Sequence, residues 1–237
     1  MWNLGARQLV TNLVARGARV HALTFSTHGH LLSGGAMRPD GRIIARLWAV
    51  DGWQEVDLRG VNLNGLLEFT LSPDERTLAI GYRDGTVAWW DIATGTRLAF
   101  PKCHYSAGVR VRFSPDDGRW FAAAAMDGLI TVWDAATQQP KPIDRGFRSG
   151  LRDVVFSPDE QRLIASGSSP QDLVKIWDVE TGREVATLPG EPGYFNHIGF
   201  SPDGNTLFGG SMEGTALLWR APSWEEIEAF EQKQKAP

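Results

Sequence analysis

The chain has 237 residues, 42% hydrophobic and 22% charged, the balance of a globular protein long enough to bury a core. A net charge of −4 and a pI of about 5.7 argue against a basic nucleic-acid-binding surface, and the single cysteine, Cys103, excludes an intrachain disulfide. No apolar run reaches the ~18 residues of a membrane-spanning helix, and the residues after Met1 lack the charged-then-apolar layout of a signal peptide, so the chain reads as cytoplasmic.

Taken in order, the chain repeats itself. Trp2, Trp48, Trp90, Trp133, Trp177 and Trp219 stand 46, 42, 43, 44 and 42 residues apart by subtraction, and a period in this range marks a repeat architecture. Residues 1–13 hold only the end of a period. Each complete period then opens with a strand ending in Phe-Ser-Pro-Asp or a relative: Phe25, Leu71, Phe113, Phe156 and Phe200 close it. Ser-Pro-Asp suits a type I turn, with Pro presetting φ at the second position. A second strand rich in small residues follows, as at residues 121–125. Its small side chains let backbones approach closely.

An acidic turn comes next: Asp40-Gly41, Asp84-Gly85, Asp127-Gly128, Asp172 and Glu213-Gly214. Asp-Gly between two apolar runs predicts a hairpin in which both turn residues take positive φ. The third strand carries the tryptophan. Residues one and three before it are apolar in every complete period (Val132 and Ile130 before Trp133, for example), a period of two and therefore a strand. Asp-X-X-Thr-Gly then leads into a weaker, more polar fourth strand such as residues 184–188, as suits a sheet edge. After Trp219 the pattern changes. Ser223 with Glu226 fits a capping box and predicts a short helix from Trp224, with a frayed tail to Pro237.

Four antiparallel strands per period, repeated, describe the blades of a β-propeller, with the tryptophan wedged between neighbouring sheets. Trp90-Asp91, Trp133-Asp134 and Trp177-Asp178, taken with the Phe-Ser-Pro-Asp and Asp-Gly turns, resemble the WD-repeat family over about residues 1–223. The reading is an all-β WD-repeat propeller with five four-stranded blades, an N-terminal half blade and the C-terminal helix. One domain covers 1–223: a partial repeat at 1–18, then repeats at 19–60, 61–103, 104–146, 147–190 and 191–223. Residues 224–237 form the helix and tail. Met1 falls mid-motif, so upstream repeats are expected. Either the repeats form an open arc, or a strand at residues 8–13 pairs with the last blade and closes a ring.

The resemblance also implies a buried network of His, Ser or Thr, turn Asp and Trp in each repeat. Only the third supplies most of it, as His104, Asp127 and Trp133; Trp48, Trp90, Trp177, Trp219 and Asp84 are the other structural positions. Partners of the family dock on the face made by the acidic turns and the starts of the first strands. Carried over by position, that face holds Arg19, His21, Arg83, Met126, Arg152, Tyr194, Asn196 and Met212. Arg, Tyr and Met are enriched in interfaces.

Chemistry beyond binding finds little support. Cys103 and His104 are adjacent on an extended stretch and point to opposite faces, so they do not make a nucleophile and base. His21, His28 and His30 lack a cysteine or carboxylate at ligand spacing. No phosphate loop, kinase motif set or metal site is present, and no cofactor is implied. The expected function is a non-catalytic scaffold that binds proteins or peptides. The alternative is a regulatory or targeting module of a larger multidomain enzyme, such as a bacterial Ser/Thr kinase, encoded upstream.

Overall fold

The computed structural model describes residues 2–3, 8–9, 19–26, 29, 31–37, 39, 43–100, 108–143, 147, 150–169, 174–188, 195–201, 203–211 and 214–220. All regular structure among them is β. β1 (Trp2–Asn3) pairs with β2 (Gln8–Leu9). A first sheet follows with β3 (Arg19–Phe25), β4 (Leu31–Met37), β5 (Ile43–Ala49) and β6 (Gln54–Val56). The second sheet has β7 (Leu66–Leu71), β8 (Thr77–Tyr82) and β9 (Val87–Asp91). The third has β10 (Val109–Phe113), β11 (Trp120–Ala125), β12 (Ile130–Asp134) and β13 (Pro140–Lys141). The fourth has β14 (Leu151–Phe156), β15 (Arg162–Gly167), β16 (Val174–Asp178) and β17 (Glu184–Leu188). The fifth has β18 (Phe195–Phe200), β19 (Thr206–Ser211) and β20 (Ala216–Arg220). Every sheet is an antiparallel meander in chain order.

The sheets stack because each strand serves two cores at once. Successive residues of a strand face opposite ways. Trp133 therefore packs back on the second sheet, in a cluster with Ala79, Val87 and Trp89, while Val132 packs forward with Leu151, Leu163 and Trp177 of the fourth. Trp177 turns back on Trp120 and Ala122; Ile176 turns forward onto Phe195 and Ile198. Trp90 turns back on Ala45 and Leu47. The small-residue second strand sits in the middle of this packing, and β11 is buried along its whole length. The first strands of successive sheets lie side by side: β7 against β10, β10 against β14, and β14 against β18.

The turns are built by their own side chains. Ser72, Ser157 and Ser201 accept at their carbonyls from the residue three on, Glu75, Glu160 and Gly204, and those residues take positive φ. The Ser hydroxyl oxygen accepts the N–H that opens the next strand, as from Arg162 at 2.9 Å onto Ser157. At the far end of the third strand, Asp178 Oδ1 accepts both the N–H and the hydroxyl of Thr181 at 2.8 Å. Gly182, at φ 71°, reverses the chain onto β17.

One expectation is corrected: the second sheet has three strands, not four. In the second sheet the fourth strand shrinks to a single bridge, Trp90 to Arg97, because the chain turns in to stack Phe100 on Trp89 with ring centres 4.5 Å apart. In the fifth, Arg220 stands where Asp91, Asp134 and Asp178 cap the turn, and the place of a fourth strand, after Arg220, lies outside the described residues. Residues 8–9 of the expected ring-closing strand pair with residues 2–3. The expected C-terminal helix at 224–237 and the remainder of the 8–13 strand lie outside the described residues.

Candidate functional site

The candidate face is the rim where second-to-third-strand turns meet the starts of the first strands. At Asp84-Gly85 only the glycine has positive φ, 83°, which corrects the two-residue hairpin expected from the sequence. Gly85 N–H bonds Tyr82 O at 3.2 Å and Tyr82 N–H bonds Thr86 O at 2.9 Å. This is a three-residue loop, a type I turn followed by a left-handed residue. The third sheet repeats it: Gly128 to Ala125 O at 3.0 Å and Ala125 to Leu129 O at 2.8 Å, with Gly128 at φ 89°. The acid bonds back to its own turn. Asp84 Oδ1 accepts from Thr86 N–H at 3.0 Å and its hydroxyl at 2.7 Å, and Asp127 Oδ1 from Leu129 N–H at 3.2 Å. The residue before the acid is thereby pushed to the tip: Arg83 is exposed and Met126 is 47% exposed.

Backbone bonds tie these tips to the first strands. Arg83 N–H bonds Gly65 O at 2.8 Å, Met126 N–H bonds Gly108 O at 3.1 Å, and Ser168 N–H bonds Gly150 O at 2.7 Å. Neighbouring sheets join along the same line. A Cβ on Gly150 would lie 2.2 Å from Met126 O, and one on Gly108 would lie 3.6 Å from Arg83 Cα. The rim is continuous across the second, third and fourth sheets.

The first strands carry a device the sequence did not reveal. In four of them one residue is inserted against the partner strand. The register skips His21, Leu67, Arg152 and Asn196. Each is a β-bulge, which sets two residues against one and bends the strand. Three of the candidate residues, His21, Arg152 and Asn196, are these bulge residues. The third sheet has a regular register, and Gly108 meets its turn.

One residue further along, the structure gathers a chain of charges that sequence reasoning missed. Glu68 on β7 accepts from Arg110 at 2.9 Å and pairs with Arg112 at 2.5 Å. Arg112 reaches on to Asp153 of β14 at 3.3 Å. Asp153 is 3% exposed and accepts from Val154 N–H at 2.9 Å and, across to β18, from Ile198 N–H at 3.1 Å. His197 Nδ1 lies 3.9 Å from the same carboxylate. Burial pushes the Glu68 carboxyl up, but Arg112 and Arg110 outweigh it and hold it below the ordinary value. For Asp153 burial wins, and the carboxyl is raised despite Arg112. Burial of Arg112 is likewise outweighed, by Glu68 and Asp153, and its pKa is raised. The chain of charges links four consecutive sheets. Its only signal in the sequence was a charge inside each apolar strand.

Of the other candidates, Trp48, Trp90, Trp133 and Trp177 are buried at 7%, 8%, 3% and 0%, and Trp219 is half-buried. Arg19 and His21 lie on β3. His104, Tyr194 and Met212 lie outside the described residues. Among the described residues no three His, Cys, Asp or Glu side chains converge to hold a metal, and no helix is long and apolar enough to cross a membrane. A shallow cavity of about 280 Å³ is lined by Ala45, Arg46, Glu55, Val56, Asp57 and Leu58 on the first sheet, away from the rim.

Residues 95–134, 140–178 and 182–220 match the model of the WD domain, G-beta repeat. The chain belongs to the WD-repeat family. Among curated proteins it is 35% identical over 57 residues to the periodic tryptophan protein 2 homolog of Neurospora crassa, covering 24% of this chain and 6% of that one. It is 39% identical over 56 residues to small ribosomal subunit protein RACK1y of Oryza sativa subsp. japonica, covering 24% and 16%. It is 40% identical over 47 residues to a serine-threonine kinase receptor-associated protein of Dictyostelium discoideum, covering 20% and 16%. The matches span well under a fifth of each relative. Among solved structures, the Cps50 (Swd1) β-propeller domain of Myceliophteria thermophila superposes with a TM-score of 0.69 at 18% identity, over 90% of this chain and 69% of that one. The computationally designed Ika8 protein gives 0.64 at 24% identity, over 85% and 58%. These likenesses show the fold.

Proposed function

We propose that the chain is a non-catalytic platform that binds proteins or peptides on the rim of turns, within one propeller domain over residues 1–223. The observation that carries this reading is the continuous line Gly65–Arg83–Gly108–Met126–Gly150. It fixes the backbone by hydrogen bonds and close contacts while holding Arg83 and Met126 out to solvent. A rigid backbone that presents exposed arginine and methionine suits partner recognition, since little ordering entropy is lost on docking.

The five sheets are read as consecutive blades and β1–β2 as a half blade. By repeat position, Arg19, His21, Arg152, Tyr194, Asn196 and Met212 extend the same rim. Two of the relatives carry names that put them in assemblies, a ribosomal subunit and a kinase receptor, which is in keeping with protein partners here. A cytoplasmic setting is part of the same reading.

The test is capture of partners from a cell extract by the immobilised full chain, scored by mass spectrometry, with the double variant Arg83→Glu, Arg152→Glu beside the wild type. The reading expects specific partners that the variant loses while its melting temperature holds. Partners retained in full by the folded variant would move the site off this rim.

A further inference from the structure

The rim of turns begins at a bend whose own atoms are left free to react. Asn64-Gly65 is the one Asn-Gly pair in the sequence. Leu66 N–H bonds Leu63 O at 3.4 Å and Gly65 stands at φ 74°, so residues 63–66 form a type II turn with glycine where positive φ is needed. Asn64 and Gly65 are both exposed. No described atom comes within 4 Å of where a Gly65 Cβ would stand. Among the described residues, neither the Asn64 side-chain amide nor the Gly65 N–H has a hydrogen-bond partner.

Elsewhere the equivalent atoms are tied down. Gly85 and Gly128 donate their N–H groups to Tyr82 O at 3.2 Å and Ala125 O at 3.0 Å. The carboxylates before them, on Asp84 and Asp127, accept from Thr86 and Leu129 N–H at 3.0 and 3.2 Å. Asn62 Oδ1 accepts from Asn64 N–H at 3.0 Å, and the branched Leu63 follows it. Asn205 precedes Thr206, whose N–H is held by Ser201 Oγ at 3.0 Å.

We propose that Asn64 is a self-modification site, which converts without an enzyme to aspartyl and isoaspartyl forms. Gly65 N attacks Asn64 Cγ. The new N–Cγ bond closes a succinimide ring, the Cγ–Nδ2 bond breaks, and ammonia leaves with the proton from Gly65 N. Water then opens the ring. Breaking N–Cγ gives aspartate; breaking the bond from Gly65 N to the Asn64 main-chain carbonyl carbon gives isoaspartate. Water is the only co-reactant, and nothing is oxidised or reduced. Glycine suits the step because no Cβ hinders its nitrogen or restricts its φ, and asparagine is among the thermolabile residues. The consequence falls on the rim. Gly65 O holds Arg83 N–H at 2.8 Å. Isoaspartate adds one carbon to the main chain just before Gly65 and draws that carbonyl out of place, whereas aspartate keeps the chain length. The reaction itself needs no partner on the rim.

The test is to age the full chain in mildly alkaline buffer and follow it by peptide mapping, with electron-transfer fragmentation to tell isoaspartate from aspartate. Acid at Asn64 should accumulate at least ~10-fold faster than at Asn62 or Asn205, as a mixture of both products, and faster as pH rises, because attack needs the Gly65 nitrogen deprotonated. Hydrogen exchange then compares fresh chain, aged chain and the Asn64→Asp variant. The Arg83 amide should exchange at least ~10-fold faster in the isoaspartyl form and at the fresh-chain rate in the variant. An Asn64 that keeps its amide, or converts no faster than Asn62 and Asn205, would overturn the site. An Arg83 amide as protected in the isoaspartyl chain as in the fresh one would overturn its consequence for the rim.

Discussion

Trp177 has no exposed surface, and its indole closes the core between the third and fourth sheets. Removing it leaves a cavity that rigid strands on both sides cannot fill. Trp177→Ala is expected to cost about 3–5 kcal/mol, and Trp133→Ala about the same, read as a lowered urea midpoint. The turn aspartates act on a smaller scale but at every repeat. The hydroxyl and N–H of Thr94 hold the Asp91 carboxyl below the ordinary value of 3.8. The N–H and hydroxyl of Thr137 and Thr181 do the same for Asp134 and Asp178. A folded-state pKa below the unfolded one gives stability that is present above about 3.8 and lost as pH falls through the folded value. Thermal unfolding should therefore drop in temperature below about pH 4, and the triple replacement of these three residues by Asn should flatten that acid slope.

At the level of strands, Glu68 joins the second sheet to the third, and Asp153 joins the third to the fourth and fifth. Of the two acids, Glu68 is the one whose ionised form the fold favours. Glu68→Gln strands Arg110 and Arg112 without their shared counter-charge and is expected to cost about 3–5 kcal/mol. The Glu68 contribution is present above the ordinary value of 4.5 and disappears as pH falls through its lowered folded value. Asp153, with its raised pKa, works in the opposite direction: its contribution is present below the ordinary aspartate value and lost as pH rises through the folded one. A stability–pH curve for Glu68→Gln that keeps the full wild-type loss in acid would count against this account.

How much of this could be read from the sequence follows from volume and register. The tryptophans announce themselves because a gap between sheets needs a large side chain at each step, and Trp133 and Trp177 stand where the spacing put them. The bulges at Arg152 and Asn196 did not show. An inserted residue changes only what lies opposite, and that is settled by the partner strand. Arg110 and Arg112 alternate with valines, a pattern that any strand with one wet face would share. Their wet face is in fact the neighbour of Glu68 and Asp153. Arg220 was a legible departure from Trp-Asp, but the bonds by which Asp178 and its relatives cap the turn were not.

Across the whole molecule, stability is a sum of contacts between consecutive sheets, as in other repeat arrays. The two equivalent glycines Gly81 and Gly210 compare a shut seam with an open one. Gly81→Ala drives a methyl against Val109 O and should cost roughly 1–3 kcal/mol. Gly210→Ala meets no described atom within 4 Å and should stay within about 0.5 kcal/mol of the wild type in the same denaturation experiment. Equal effects would mean that both seams are shut or both open.

The three-residue loops have one more consequence. Asp84 and Gly85 do the conformational work of their turn, and Arg83 does none of it with its side chain; Asp127, Gly128 and Met126 divide the labour in the same way. The tip residue can therefore mutate freely while the chain still folds. Natural drift, or a designer grafting a new specificity, can respell the tips one by one without disturbing the tryptophan stack beneath.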